Sequence, residues 1–211
     1  ALSIKKIIRN IGLGRDVIIN DRKGERWMTM ARVALGQSKM VTRPVAGFFH
    51  IIIYVGFIII NIEVLEIIID GIFGTHRIFA SPLGSLYDFL IGSFEILAFG
   101  VLAACIIFLA RRNILHLQRL TSKELKGWPK NDANIILITE IILMSLFLTM
   151  NAADQILQNR GVEHYVIAGA YPVSSFIAPM FDGISIQTLI AIERFCWWLH
   201  IAGILLFMNY V

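Results

Sequence analysis

Cysteine is scarce in this chain of 211 residues: Cys105 and Cys196 are its only two. They form no CxxC pair and no metal-ligand spacing, so they mark no thiolate centre and leave the redox compartment unspecified. The sequence holds no P-loop, no GxSxG and no HExxH, which excludes the soluble type of hydrolase or nucleotide enzyme. Charge is thin, with Asp, Glu, Lys and Arg together at 16%. Proline occurs five times, as Pro44, Pro82, Pro129, Pro172 and Pro179, always at the edge of an apolar run or in a segment between runs. The opening residues ALSIKKIIRN lack the long apolar core of a signal peptide. The sequence starts without Met and stops inside an apolar run, ILLFMNYV, so it reads as a piece of a longer protein. Neither an internal repeat nor a low-complexity tract is present.

What fills the chain is hydrocarbon. Apolar residues make up 57% of it and the mean hydropathy is +0.72, well above ordinary soluble domains. A bilayer span takes about 20 mostly apolar residues, and four stretches reach that length: Val45–Ile69, Gly84–Ala110, Ala133–Ala153 and Ile184–Val211. The fold class expected is all-α, an integral membrane four-helix bundle at 45–211 behind a helical segment at 1–44. Of 19 Lys and Arg, ten fall in Ala1–Pro44 and six in Arg111–Asp132. Positive charge marks the inner side, so both segments face the cytoplasm. Ile4, Ile7, Ile8 and Ile11 share one helical face, away from Lys5, Lys6 and Arg9. That pattern suits a helix on the membrane surface, or equally the end of a span that starts earlier. A juxtamembrane anchor explains the basic N-terminus better than nucleic-acid binding. ERWMTMARVAL reads as a short amphipathic helix, IFGTHRIFASP as an outer loop, and HLQRLTSKELKGWPKND as an inner loop with a helical turn or two. YVIAGAYPVSSFIAPMF is interrupted by Pro172 and Pro179, too short to span, and reads as a cap at the outer interface.

Two histidines lie inside apolar runs, His50 in the first and His200 in the last. An imidazole in a lipid-spanning helix is costly without a partner. His50 lies about 8 Å from the inner surface and His200 roughly 24 Å from the outer one, at 1.5 Å per residue. In a core about 30 Å thick these depths agree. A shared ligand follows, and a haem iron held by both rings is the first candidate. Gly47 and Gly203 sit one turn toward the cytoplasm from their respective histidines, where a flat macrocycle needs side chains removed; glycine at helix–helix contacts is the plainer reading. Arg43, Arg111 and Arg112 stand at the inner edge, as anchors and as possible partners of haem propionates. His116, His76 and His164 lie in loops; a surface metal site from His76, His164, Asp70 and Glu163 is conceivable.

Carboxylates also enter the spans: Glu63, Glu66, Glu95, Glu140 and Glu193, with Asp88 near an end. Such groups mark proton paths or hydrogen bonds inside a bundle. Glu63 and Glu66 share a helical face. Glu63, Glu66, Glu95 and Glu193 are the members of a proton path if there is one, while Glu140 belongs to the inner half. Glu193 adjoins Arg194, but sequence neighbours point roughly 100° apart on a helix, so their pairing is open. Trp197, Trp198 and Tyr54 are packing residues first and quinone-stacking candidates second.

FFHIIIYVGFIIIN and FCWWLHIAGILLF resemble the haem-ligand helices of the gamma subunit of respiratory nitrate reductase. They are also similar to the haem b subunit of membrane-bound heterodisulfide reductase. Over essentially the whole chain, and through ARVALGQSKMVTRPVAGFFHIIIYVGFIIINIEVLEIIIDG above all, the sequence resembles the membrane domain that opens bacterial Fe–S oxidoreductases of the heterodisulfide-reductase type. There such a domain precedes a ferredoxin-like pair of 4Fe–4S clusters and cysteine-rich domains. The resemblance implies that His50 and His200 ligate a haem b near the cytoplasmic side, and that electrons pass between a quinone pool, menaquinone, and Fe–S centres outside this segment. One departure is plain. The nitrate reductase pattern has a second ligand ten residues after the first, where this chain has Ile60, and its counterpart position holds Asp182. The outer haem therefore looks absent. A non-haem ion- or proton-translocating domain and a simple membrane anchor are the alternatives.

Overall fold

The computed structural model describes residues 2–15, 19–40, 42–115 and 127–211. It is all-helical, without strands among the described residues, and it divides into two compact units, 1–44 and 45–211. The expected helical turns around His116 fall on residues 116–126, outside the described ones.

The first unit holds α1 (Leu2–Gly12) and α2 (Lys23–Met30), the latter running on through a π-helical turn at Ala31–Leu35. Ile4, Ile7, Ile8 and Ile11 of α1 are all exposed. Asp21 takes Arg22 and Arg26 at 3.1 and 3.3 Å in solvent-facing ion pairs, a type of contact that contributes about 1 kcal/mol or less.

Four long apolar helices build the second unit: α3 (Pro44–Phe73), α5 (Ser85–Asn113), α6 (Trp128–Asn159) and α8 (Ile186–Tyr210). All four are long and apolar enough to cross a membrane. At 1.5 Å per residue, α3 is about 45 Å long, longer than the hydrocarbon core of a bilayer at about 30 Å. These helices are apolar almost all round, the pattern of a lipid-surrounded helix and not of a half-solvated one. Phe48, Phe57, Leu65, Phe89, Phe99, Trp198 and Leu206 accordingly stay exposed. Inside, Ile60, Ile91, Phe94, Ala98, Phe147 and Ile201 pack into one core shared by the four helices.

Small residues set how closely the helices meet. A Cβ on Gly56 of α3 would meet Val101 Cγ2 of α5 at 2.7 Å, and one on Gly203 of α8 would meet Leu143 Cδ2 of α6 at 2.7 Å. Helix starts follow local rules. Pro129 sits in the first turn of α6, where its missing N–H costs nothing. Ser185 caps α8 by accepting from Thr188 N at 3.2 Å. Gly84 and Gly127, just before α5 and α6, take φ of +52° and +74° with ψ near −130°, a conformation open to glycine alone.

The spans begin and end close to where hydropathy places them, but α6 is longer at both ends than Ala133–Ala153. Between α3 and α5 lies a short helix, α4 (Ala80–Leu83), which contains Pro82. Between α6 and α8, residues 160–185 form a cap with a helical turn, α7 (Ser174–Ile177), and a 3₁₀ turn at Ala178–Phe181. At the opposite end of the bundle, Asn113 and Asn134 exchange amide bonds at 3.1 and 3.2 Å. There too the Tyr210 hydroxyl donates to Asp132 at 2.6 Å.

Candidate functional site

The two ends of the bundle differ in chemistry and are named here by Arg112 and Arg77. Toward the Arg112 end, α3, α5, α6 and α8 line an apolar cavity of about 70 Å³. Its walls include Ile53, Phe57, Leu143, Met144, Phe207 and the His200 ring, with Glu140 at hand. His200 is 1% exposed. Its Nδ1 lies 3.0 Å from the Leu143 carbonyl, and a carbonyl can only accept, so Nδ1 carries the proton. The other nitrogen, Nε2, is thereby left as an unprotonated lone pair, buried and without a partner.

His50 shows the same feature. It lies one turn before Ile53 on α3, and its Nε2 is also buried without a hydrogen-bond partner. Among the described residues only four buried side-chain nitrogen or oxygen atoms lack a partner: these two imidazole atoms, Glu63 Oε2 and Arg112 Nε. Buried polar groups are nearly always bonded, so each orphan asks for an explanation. The His50 ring itself is not among the residues lining the cavity around His200. Gly47 is buried, one turn from His50. Gly203 faces Leu143, the residue whose carbonyl holds His200. Arg112 donates to the Pro129 carbonyl at 3.3 Å. Arg111 is half-buried, and Arg43, in the first unit, is exposed.

The Arg77 end is polar. Arg77, which reads in the sequence as a loop cation, is 8% exposed and is the hub. Its guanidinium donates to Asp154 Oδ2 at 2.8 Å, the Tyr87 hydroxyl at 3.1 Å and Asn151 Oδ1 at 3.0 Å. The guanidinium carbon also lies 5.3 Å from the centre of the Tyr171 ring. Burial works against the charge, but Tyr171 and Asp154 outweigh it and hold the Arg77 pKa well above its ordinary value. Its backbone is left-handed at φ +52°, uncommon for a residue with a Cβ, and its N–H donates to Asp70 at 2.7 Å.

Around this hub the carboxylates are held one by one. Glu66 accepts from Phe79 N at 2.9 Å and from the Tyr87 hydroxyl at 2.8 Å. Glu95 accepts from Asn151 at 3.2 Å and from Val173 and Ser174 N at 2.9 and 3.0 Å, which fastens the cap to α5. Glu193 takes the Tyr165 hydroxyl at 3.0 Å and Arg194 at 3.3 Å, so the pairing left open by helical geometry does form. Glu63 and Glu66 face one cavity of about 40 Å³, together with Glu193 and Trp197. Glu95 joins them through Asn151. Trp198 points outward and is exposed.

The surface metal site imagined for His76 and His164 does not form. His76 Nδ1 accepts from Val166 N at 3.1 Å, and its Nε2 lies 3.0 Å from Asp154 Oδ1, so both nitrogens are taken. The His164 ring meets Arg194 at 2.9 Å. Burial first, then the charge of Arg194, lowers its pKa. No group of three or more metal-binding side chains occurs among the described residues.

No protein-family model matches the chain, and no solved structure does. Two curated relatives do. The probable iron-sulfur-binding oxidoreductase FadF of Bacillus subtilis is 26% identical over 208 residues, covering 99% of this chain and 27% of the relative. The EtfAB:quinone oxidoreductase of Syntrophomonas wolfei is 24% identical over 197 residues, covering 91% of this chain and 26% of the relative. The chain thus spans about a quarter of the length of these curated relatives.

Proposed function

We propose that this chain is the membrane part of a quinone-linked Fe–S oxidoreductase and carries electrons through a haem b held by His50 and His200. The observation that carries the reading is the pair of orphaned imidazole atoms. In a bundle whose polar groups are otherwise nearly all bonded, two Nε2 atoms on the first and last spans lack partners. One of them belongs to a ring whose Nδ1 is pinned by a backbone carbonyl, the usual support for a metal-ligating histidine. An apolar cavity of about 70 Å³ lies beside His200. In their donor chemistry the two rings therefore fit such a group. The relatives' names, an iron-sulfur-binding oxidoreductase and a quinone oxidoreductase, support the same class.

When bound, a haem b supplies one-electron chemistry at its iron, with axial ligands, burial and dielectric setting the potential. The protein's own share is positioning. Leu143 fixes the tautomer and direction of His200. Gly203 lets α8 come close enough to α6 for that bond, since a Cβ there would strike Leu143. Gly47 keeps the face of α3 small one turn from His50. Arg111, half-buried at that end of the bundle, is a cation that anionic propionates would need. The Arg112 end is the cytoplasmic side of a bacterial inner membrane, facing Fe–S domains with their 4Fe–4S clusters, and menaquinone is the lipid-soluble partner. Glu63, Glu66, Glu95 and Glu193 serve proton movement at the other end.

His50→Ala and His200→Ala each remove one ligand without touching the apolar length of a span. Both variants are expected to insert normally and to lose the reduced b-type absorbance of the detergent-purified protein. Undiminished haem bands in both would end the proposal.

A further inference from the structure

The cavity at the Arg77 end holds more acid than it balances. Five carboxyl groups, from Glu63, Glu66, Asp70, Asp154 and Glu193, line it against the guanidinium groups of Arg77 and Arg194. His76 adds no cation, because its Nδ1 accepts a backbone N–H and must be unprotonated. Buried charge without compensation is expensive, and carboxylates in such a setting take up protons. The question is which one.

Four of the five are bonded as anions. Glu66 accepts at both oxygens. Asp70 takes the Thr75 hydroxyl and the Arg77 and Ile78 N–H groups. Asp154 takes Arg77, His76 and the Tyr171 hydroxyl, and Glu193 takes Tyr165 and Arg194. A proton placed on Glu66, Asp70 or Asp154 would oppose a donor already there, and Glu193 holds both of its donors on Oε2. Glu63 is different. It is 2% exposed, its Oε1 lies 3.8 Å from Arg77, too far for a hydrogen bond, and its Oε2 is buried with no partner at all. Among the described residues this is the one buried carboxyl oxygen without a partner, so a proton added here displaces no hydrogen bond.

We infer that Glu63 is the proton-exchange site of this end of the bundle, taking H⁺ from water in the cavity and returning it (carboxylate plus hydronium giving carboxylic acid plus water). The charged groups facing it are Arg77 from the loop, Glu66 on its own helix, Glu95 on α5 and Asp154 on α6. From α8, Glu193 and Arg194 share its cavity. Glu66, Glu95 and Glu193 then form the fixed frame, and the path narrows to one movable proton. The inference rests on the membrane reading but not on the haem.

Dicyclohexylcarbodiimide tests it, since this apolar reagent adds only to protonated carboxyl groups in membrane-embedded surroundings. The full chain, in membranes, is treated over a pH series and the adducts are located by fragment mass spectrometry. The expected result is an adduct on Glu63, absent from Glu66, Glu95 and Asp154, whose rate falls about tenfold per pH unit once the carboxyl ionises. Glu63→Gln should abolish that adduct, and the wild-type pattern needs no variant to be read. An adduct on the framing carboxylates in place of Glu63, no adduct at all, or a rate flat with pH would overturn the assignment. So would slowing by sodium at fixed pH, which would make this a metal-cation site. Absorbance of the same samples reports the haem separately: labelled Glu63 in a colourless protein would remove the haem and leave the proton site standing.

Discussion

Arg77 is the residue on which the polar end turns, and nothing in its sequence setting announces that. A lone cation in GTHRIF reads as a loop residue, because burial of a loop depends on a cap that arrives some ninety residues later, as at Val166 on His76. The legible signal was on the other side. Asn151, Asp154 and Gln158 recur at three- and four-residue spacing near the end of α6, a polar stripe where lipid would forbid one, and all three are buried. Two of them bind Arg77 directly. Removing the cation strands Asp154 in the core, and breaking a buried pair from one side costs about 3–5 kcal/mol. Arg77→Gln is therefore expected to lower the Tm in detergent sharply. Arg77→Lys should fall in between, because it keeps the charge but not the fork that reaches Asp154, Tyr87 and Asn151 at once. A wild-type Tm for Arg77→Gln would show that the hub holds nothing together.

At the scale of the helix, hydropathy alone placed all four spans, since in a bilayer the apolar run and the helix are nearly the same object. It could not say which helices touch. An all-round apolar helix has no preferred face in its pattern, so contacts are settled by small residues, and glycine in a span does not name its neighbour. Gly203 looked like clearance for a macrocycle next to His200; its Cβ direction is occupied by Leu143. Gly56 marks the crossing of α3 and α5, where a Cβ would meet Val101 Cγ2 at 2.7 Å. Valine in a helix is confined almost to one rotamer and cannot swing away. Gly56→Ala should therefore cost about 1–3 kcal/mol by overpacking. Adding Val101→Ala should recover much of that loss, a coupling that a double-mutant cycle in thermal unfolding reads out. Strictly additive losses would place the crossing elsewhere.

For the molecule as a whole, the two chemistries sit at opposite ends of one bundle, and their meaning depends on which end faces which compartment. In the proposed orientation, drawn from the positive-inside bias, Arg111, Arg112 and Lys130 face the cytoplasm and the Arg77 network lies outside. Helix α6 joins the two ends in a single element about 48 Å long at helical rise, so its flanks report topology without ambiguity. Asn131 at one end and Glu163 just past the other are both exposed. The native thiols, Cys105 at 1% and Cys196 at 5% exposure, are buried and should stay silent toward a membrane-impermeant maleimide. In intact cells Glu163→Cys is then expected to label and Asn131→Cys to stay unlabelled until the membrane is opened. The reverse pattern would turn the bundle over. It would set the His50 and His200 end toward the outer compartment, away from any cytoplasmic Fe–S partner, and would make Glu63 exchange its proton with the cytoplasm.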